Sequence, residues 1–341
     1  MTLTTDTPGR TVPKRLLGLL GLVLLAAFAV LLSFALGAQD LHPADVWRAL
    51  VSPDGTDATA VVRELRAPRT VLGVIVGLAL GVAGALIQGH TRNPIADPGL
   101  LGVSAGASFA VVLAIGVFSV EAFGGYIWFA FAGALIASVL VFGVGAGSRD
   151  GPTPVTLALA GMAVSALLSS FTSSMLVTSP ETLNVFRFWI IGSLSGREIE
   201  TAWQVAPFVA AGLLLAAVNA PALNALSLGE DVARGLGQSV VAARVAGVAA
   251  IMLLTGAATA ACGPIGFVGL FVPHLARLLT GPDHRWLLPF SGLLGVTAVL
   301  LADVAGRLVA RPAEIQTGIV LAVAGAPFFI WLVRRVRLVQ L

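Results

Sequence analysis

Long apolar runs separated by short polar gaps recur along nearly the whole chain. The first covers about residues 16–38, and others follow at about 71–88, 126–145, 240–261 and 287–304. A helix needs about 20 consecutive apolar residues to cross the hydrocarbon core of a bilayer. Charged residues make up 11% of the chain, less than half of the roughly 25% that is usual in a soluble domain. The sequence therefore predicts an all-α integral membrane protein.

The first apolar run decides how the chain enters the membrane. Residues 1–15 are polar and end in Lys14-Arg15. A signal peptide is the alternative, because small residues near the end of the run could form a cleavage site. The apolar core of a signal peptide is only about 7–15 residues long, however, and this run is longer. We expect an uncleaved first helix, a cytoplasmic tail at 1–15 and one polytopic transmembrane domain at 16–341.

The polar gaps predict about ten transmembrane helices with both termini in the cytoplasm. Basic residues are concentrated in the gaps assigned to the inner side, as the positive-inside rule requires. The longest inner gap is 219–239, whereas residues 186–194 are too short to span and suit an interfacial helix. The predicted spans cover about residues 16–38, 71–88, 103–118, 126–145, 154–177, 202–218, 240–261, 262–277, 287–304 and 318–333.

One predicted span, residues 262–277, is interrupted by two prolines and three glycines. Proline removes a backbone donor, so such a segment needs neighbouring protein or a wet cavity to satisfy its backbone in hydrocarbon. Broken helices of this kind form pathways and gates in transporters, whereas a kinked structural helix is the simpler alternative. Its segment 264–270 weakly resembles 98–103, which is compatible with two repeated halves.

Two polar features leave alternatives open. The predicted span 154–177 is rich in serine and threonine, which either let helices pack closely or line a polar path, and close packing is the commoner explanation. Arginines in the outer gap 39–69 go against the positive-inside rule. These arginines either lie at headgroup level or dock an acidic partner.

Several motifs with a known chemistry are missing from the sequence. It has no Gly-x-x-x-x-Gly-Lys-Ser/Thr loop, no His-Glu-x-x-His pair, and no Gly-x-Ser-x-Gly elbow with a plausible base. Cys262 is the single cysteine, and we expect no metal site and no bound cofactor. The basic residues set membrane orientation, so nucleic acid is not an expected partner. We expect a transport protein, not an enzyme, which depends on a separate ATPase for energy.

Six stretches carry a family resemblance, namely Arg66-Ala-Pro-Arg69, Gly84-Ala-Leu-Ile-Gln88, 93–106, Leu228-Gly-Glu-Asp-Val-Ala-Arg-Gly-Leu-Gly237, 263–277 and Gly325-Ala-Pro-Phe-Phe329. Together they resemble the FecCD-type permeases of bacterial ABC importers, which carry ferric siderophores, haem or cobalamin. The resemblance implies a BtuC-like type II importer fold with ten helices per subunit. It also implies that two permeases enclose one path across the bacterial cytoplasmic (inner) membrane.

The resemblance implies roles for individual residues as well. The outer arginines Arg66, Arg69 and Arg307 match positions that pair with glutamates of a binding protein, and the planar arginine fork suits carboxylates. Gln316 stands where the family usually has proline, which would alter the last outer turn. The cytoplasmic gate is expected at Asn93, Pro94, Ile95, Thr153 and Thr156. The ATPase-coupling loop, about 219–239, is expected to use Leu228, Gly229, Glu230, Asp231, Ala233, Arg234, Leu236 and Gly237.

These implications give one leading function. The chain is expected to move a ferric siderophore inward by alternating access, with cobalamin or haem as the alternative substrate. Expected partners are ABC ATPase subunits that use ATP and magnesium, an extracytoplasmic substrate-binding protein, and a second permease in a homodimer or heterodimer. An ion-coupled secondary transporter is the alternative class, but charged residues are nearly absent from the spans. Side-chain types do not name the siderophore, because large ligands are held mainly by shape.

Overall fold

The computed structural model describes residues 8–52, 55–120, 122–147 and 153–335, and across these ranges it contains helices and no β-strand. The helices are α1 (Pro8–Ala35), α2 (Pro43–Val51), α3 (Asp57–Ala60), α4 (Ala67–Thr91), α5 (Val103–Gly116), α6 (Phe123–Ala146), α7 (Pro154–Thr178), α8 (Pro180–Ile190), α9 (Ile199–Ser227), α10 (Glu230–Gly235), α11 (Val240–Cys262), α12 (Val268–Thr280), α13 (His284–Val309) and α14 (Thr317–Arg335). A π-helical turn (Val61–Arg66) joins α3 to α4, and a 3₁₀ turn (Pro98–Leu101) precedes α5.

Ten of these helices are apolar enough to lie in a membrane. Seven of the described helices are also long enough to cross one: α1, α4 with the turns before it, α6, α7, α9, α11 and α13. Three shorter apolar helices, α5, α12 and most of α14, complete the set. The predicted all-α membrane fold is confirmed.

The central helix of the bundle is α4, which packs against α9, α11, α12 and α13. In its most apolar window 78% of the residues are buried, compared with 17% in α7. Glycines make this central position possible. A Cβ atom at Gly81 would lie 2.1 Å from the carbonyl oxygen of Ser291, and one at Gly84 would lie 2.1 Å from that of Gly269. The backbones are therefore in direct contact, as small residues allow in membrane bundles.

The interrupted stretch 262–277 is a broken helix, as its glycines and prolines predict, and not a single kinked helix. Residues 263–267 are non-helical and separate α11 from α12. Gly263 has a φ of 75°, which favours glycine over residues that carry a side chain. The carbonyl of Cys262 accepts a hydrogen bond of 2.8 Å from the amide of Ser193. Neighbouring protein thus satisfies the interrupted backbone, as hydrocarbon surroundings demand.

The two similar stretches that suggested a repeat lie against each other. A Cβ atom at Gly269 would lie 2.8 Å from Cδ of Pro98. The side-chain amide of Gln88 donates to the carbonyls of Gly269 and Leu270 at 3.3 and 3.1 Å. The start of α12 is therefore fixed to the inner part of α4 and to the turn before α5.

Two predicted boundaries of the cytoplasmic side differ from the structure. α1 begins at Pro8, so the second half of the predicted tail 1–15 is helical. α9 continues to Ser227, so the predicted coupling loop at 219–239 is too long at its start. A helix of 29 residues is about 44 Å long and extends beyond a hydrocarbon core of roughly 30 Å. The chain outside α9 and α11 is only 228–239.

Three further predictions concern the edges of the bundle. The interfacial helix exists as α8 but begins at Pro180, because Ser179 caps it by accepting a hydrogen bond from the amide of Thr182 at 3.2 Å. The predicted inner loop at 148–150 and the basic tail after residue 335 lie outside the described residues.

Candidate functional site

A short helix, α10, stands between two glycines with unusual backbone angles. Gly229 has a φ of 116° and Gly237 a φ of 78°, a region that L side chains rarely adopt. A Cβ atom at either glycine would meet open space, so steric crowding does not select glycine here. The backbone geometry requires glycine instead, because the chain turns into α10 at Gly229 and out of α10 at Gly237.

Apolar side chains on and beside α10 are exposed. Leu228 and Leu236 are 65% and 61% exposed, and Val232 is about half exposed. Ala233, on the other side of the helix, is buried in a small apolar cluster with Leu226 and other residues of α9 and α11. Exposed apolar patches on an anchored element are typical of surfaces that another protein covers.

Ion pairs attach α10 to α11. Glu230 binds the guanidinium of Arg244, and its other carboxylate oxygen lies 3.1 Å from Arg234. Arg234 also pairs with Asp231 at 2.9 Å. The structure thus brings the eight predicted coupling residues together in one compact unit at the end of α9.

A buried ion network centred on Asp303 lies at the other end of the bundle, about 29 Å along α13 from its first residue. The carboxylate accepts hydrogen bonds of 2.9 Å from Nε of Arg69 and from Thr317, and pairs with Arg307 at 2.9 Å. Arg69 also binds Glu314 at 2.6 Å. Because Asp303 and Arg307 are 0% and 2% exposed, the network is removed from solvent.

The third predicted docking arginine, Arg66, caps the end of α1. Its guanidinium donates to the backbone carbonyls of Phe34, Ala35 and Gln39 at 2.6, 3.0 and 2.7 Å. Arg307 donates to the carbonyl of Leu36 at 2.9 Å. The last carbonyls of a helix have no hydrogen-bond donor within the helix, and Arg66 and Arg307 supply such donors at the end of α1.

The structure therefore brings the three predicted outer arginines into one region but buries them. All three guanidiniums contact other groups of this chain. Asp303, which pairs with Arg69 and Arg307, and Glu314, which pairs with Arg69, were not predicted as partners. The i,i+4 spacing of Asp303 and Arg307 on one helix was the available signal.

An open cavity of about 570 Å³ borders this network. It lies between α8, the segment 193–197 and the turn before α14, and Arg69, Glu314 and Gln316 line it. Glu314 is partly exposed, so it is the accessible end of the network. The backbone carbonyl of Gln316 accepts from the amide of Ile319 at 3.0 Å, so this departure from the family pattern leaves the first turn of α14 capped.

A second groove, of about 450 Å³, runs between α5, α7 and α8. Its hydroxyl-bearing lining residues are Ser104, Ser108, Ser165, Ser169, Thr172 and Ser173. Ser169 and Ser173 are exposed, so close packing within the chain, the commoner explanation at the sequence level, does not account for them. Hydroxyls left open on a membrane helix need either a partner helix or water.

The predicted gate residues form two capped turns. The side chain of Asn93 accepts from the amide of Ile95 at 3.1 Å, and Pro94 lies between them. Thr153 caps α7 by accepting from the amide of Thr156 at 3.2 Å.

The elements that follow the two gate turns, namely the turn before α5 and helix α7, contact each other. α7 approaches the turn before α5 closely, because a Cβ atom at Gly161 would lie 1.8 Å from the carbonyl oxygen of Leu100. Beside it, Asp97 accepts a 2.8 Å hydrogen bond from the amide of Gly99. Burial raises the pKa of the Asp97 carboxyl above its ordinary value, and this hydrogen bond acts in the opposite direction.

Residues 24–335 match the FecCD transport family. The chain is 43% identical over 328 residues to the ferric enterobactin transport system permease protein of Escherichia coli, covering 96% of this chain and 98% of that protein. It is 41% identical over 278 residues to the cobalamin import system permease protein of Halobacterium salinarum, covering 81% of this chain and 74% of that protein.

A solved structure supports the same assignment. An inward-facing metal-chelate type ABC transporter matches with a TM-score of 0.80 and 30% identity, covering 93% of this chain and 98% of that one. The chain therefore belongs to the FecCD transport family and is a permease subunit of an ABC importer.

Proposed function

We propose that this permease carries a ferric siderophore inward across the bacterial cytoplasmic membrane, driven by a separate ATPase. The α10 unit is the observation that carries the proposal. Its exposed leucines form a contact surface, while Ala233 and Glu230 fix it to the bundle. A partner that pushes on α10 therefore also moves α9 and α11, which pack against α4. This is a direct mechanical route from ATP hydrolysis in another subunit to the helices of this one.

The direction of the chain in the membrane follows from where its basic residues lie. Arg15 pairs with Asp283 at 3.6 Å, and Asn224 near the end of α9 donates to the same carboxylate at 2.7 Å. The start of α1 therefore shares one end of the bundle with α10. Arg234 and Arg244 lie at this end too, and the positive-inside rule assigns it to the cytoplasm. Both termini are then cytoplasmic.

The hydroxyl groove between α5, α7 and α8 is the proposed substrate path. It is open along one side in this chain, and a second permease, either identical or similar, would close it. Rows of serine and threonine hydroxyls suit a siderophore, which carries polar groups around its iron. With ATP and magnesium bound by the ATPase partner, this chain needs no cofactor of its own. Asn93, Pro94, Ile95, Thr153 and Thr156 would gate the cytoplasmic end.

The outer end is the proposed docking surface for a substrate-binding protein. Arg66 and Arg307 shape it from within by capping α1. Arg69 is the arginine that borders the open cavity, and Glu314 already occupies one edge of its guanidinium. An incoming carboxylate must therefore displace Glu314 before it pairs with Arg69. Docking by exchange of carboxylates is the role consistent with the burial of these residues.

Cobalamin is the second candidate substrate, because a cobalamin permease is 41% identical over its matched part. The ferric enterobactin permease matches over more of the chain and at higher identity, which favours a ferric siderophore. Haem is the third substrate to test, because the family resemblance includes it.

Uptake measurements in cells separate these substrates. Uptake of labelled ferric siderophores, haem and cobalamin would be compared in a strain lacking this chain and in the complemented strain. We expect loss and recovery of ferric-siderophore uptake alone, and inhibition by vanadate before any effect of a protonophore. Loss of cobalamin uptake alone would retain the mechanism but contradict the proposed substrate. Insensitivity to vanadate would contradict the ATP-driven mechanism.

A further inference from the structure

A third groove, of about 500 Å³, lies between α4, α9 and α13 and shares no residue with the hydroxyl groove. Its lining is almost wholly apolar and consists of Leu78, Val82, Leu213, Ala216, Ala217, Ala220, Pro221, Leu288 and Pro289, together with His284 and Arg285. α4 forms its floor, although this helix is otherwise buried at the centre of the bundle. The groove is therefore a slot that opens between two membrane-spanning helices.

Small residues and prolines account for the slot. α9 contributes Ala216, Ala217 and Ala220, whose side chains are too short to reach α13. Pro221 on α9 and Pro289 on α13 face the same space, and proline removes a hydrogen bond within its own helix and so kinks that helix. No side chain larger than leucine lines the apolar part of the slot. The protein's own side chains therefore do not fill this volume, and its lining suits an apolar ligand.

Charge is concentrated at one mouth of the slot. Asp283 is engaged by Arg15 and by Asn224, at 3.6 and 2.7 Å. Arg285 is exposed, and among the described residues no carboxylate forms an ion pair with its side chain. This mouth lies at the end of the bundle that carries α10, because Asn224 precedes α10 by only six residues. It is therefore at the depth of lipid headgroups.

We propose that this slot binds an anionic phospholipid, with an acyl chain between α9 and α13 and the phosphate on Arg285. Basic pockets between transmembrane helices on the cytoplasmic side are typical sites for anionic headgroups. The guanidinium fork suits phosphate oxygens in geometry as well as charge. The apolar wall below it suits a chain of methylene groups, and a folded protein partner would not enter so narrow a space. The binding does not depend on which substrate the permease carries.

Native mass spectrometry of the full-length, delipidated permease tests the proposal. The protein would be titrated with phosphatidylglycerol and with phosphatidylcholine that carry identical acyl chains. Arg285→Ala removes the charge, with Arg187→Ala, another exposed arginine, as its control. Ala217→Trp fills the slot from an exposed position of α9, with the exposed Ala211→Trp as its control. Size-exclusion chromatography verifies that each variant is folded.

We expect phosphatidylglycerol to bind more tightly than phosphatidylcholine, and Arg285→Ala to reduce that affinity about fivefold. Ala217→Trp should lower the affinity for both lipids about tenfold. Loss of burial of two methylene groups in the slot is enough to explain a change of this size. Equal affinities for the two lipids would contradict the proposed preference for an anionic headgroup. Variants that behave like their controls would overturn the site itself, and so would retention of detergent alone in the slot.

Discussion

The two ends of this permease use charge in opposite ways. At the outer end, Asp303 and Arg307 are shielded from solvent and share one hydrogen-bonded network. At α10, Asp231 is 99% exposed and Arg234 is 57% exposed. Removing one partner of a buried pair leaves an uncompensated charge, whereas exposed pairs contribute little because water and salt compete. The outer charges therefore hold helices together, and the charges around α10 mainly orient a contact surface.

Apolar residues show the reverse distribution. The leucines beside α10 are exposed, while the outer network is enclosed by α1, α4, α13 and the turn before α14. Exposed apolar residues suit a surface that another protein covers, here the proposed ATPase partner. A buried network keeps the outer ends of the helices in fixed relation while the inner ends move. Substitutions at the outer end should therefore change stability, and substitutions at α10 should change coupling.

Asp303→Asn has the largest expected effect. The substitution keeps the shape of the side chain but leaves Arg69 and Arg307 without their shared charge. Breaking a buried pair in this way costs about 3–5 kcal/mol of stability. We expect the thermal unfolding midpoint in detergent to fall by roughly 10 °C, or the protein to fail to accumulate in the membrane.

Asp231→Asn is the matched control for this comparison, because it removes one carboxylate at the exposed end. Its unfolding midpoint should equal that of the unmodified chain. If the two variants were equally stable, the outer network would not have the structural role that its burial indicates.

Gly237→Val should uncouple ATP hydrolysis from uptake. The positive φ of Gly237 disfavours any residue with a Cβ atom by about 1–3 kcal/mol, so the chain would leave α10 in a different direction. We expect uptake to fall more than about tenfold while ATPase activity of the assembled complex continues. Uptake and phosphate release would be measured on the same proteoliposomes.

Gly235→Val distinguishes the effect of backbone geometry from the effect of side-chain bulk. A Cβ atom at either glycine meets open space, but Gly235 lies inside α10 with a helical φ. Valine there should reduce uptake far less than valine at 237. Equal losses would assign the effect to bulk at the ATPase contact and not to the turn.

Glu314→Gln should strengthen docking of the binding protein. The carboxylate of Glu314 competes for Arg69, and a partly exposed pair of this kind is worth up to about 1 kcal/mol. Its removal should raise the affinity for the binding protein about two- to fivefold. Arg69→Glu should have the opposite effect, and added salt should weaken docking to the unmodified chain. A lower affinity in Glu314→Gln would contradict the exchange of carboxylates.

Much of the fold follows from the sequence, because helix length and hydropathy are local properties. Most of the ten apolar helices were predicted from long apolar runs separated by polar gaps. Helix ends were less predictable. The break after Cys262 depends on a contact with Ser193, and the end of α9 depends on Asn224 meeting α13. No window of sequence contains both partners.

The outer arginines show the same limit more clearly. Arg69 and Asp303 are separated by 234 positions, so the sequence indicated unusual outer charge but not its partner. Only tertiary structure reveals that these arginines are buried. The serines of α7 are a similar case, since only the structure shows that several of them are exposed along the groove. The coupling residues were named from the family resemblance, and they are contiguous in the chain.

Glu230→Gln should have only a small effect on stability, which sharpens the contrast between the two ends. Its pairs with Arg234 and Arg244 are partly exposed, and such pairs contribute about 0.2–1 kcal/mol. A double-mutant cycle of Glu230→Gln with Arg244→Gln isolates the pairwise term from other effects of each change. We expect a coupling energy below about 1 kcal/mol together with reduced uptake per ATP, because α10 would no longer be aligned with α11. A coupling energy as large as the loss in Asp303→Asn would mean that the inner charges are structural as well, and the difference between the two ends would disappear.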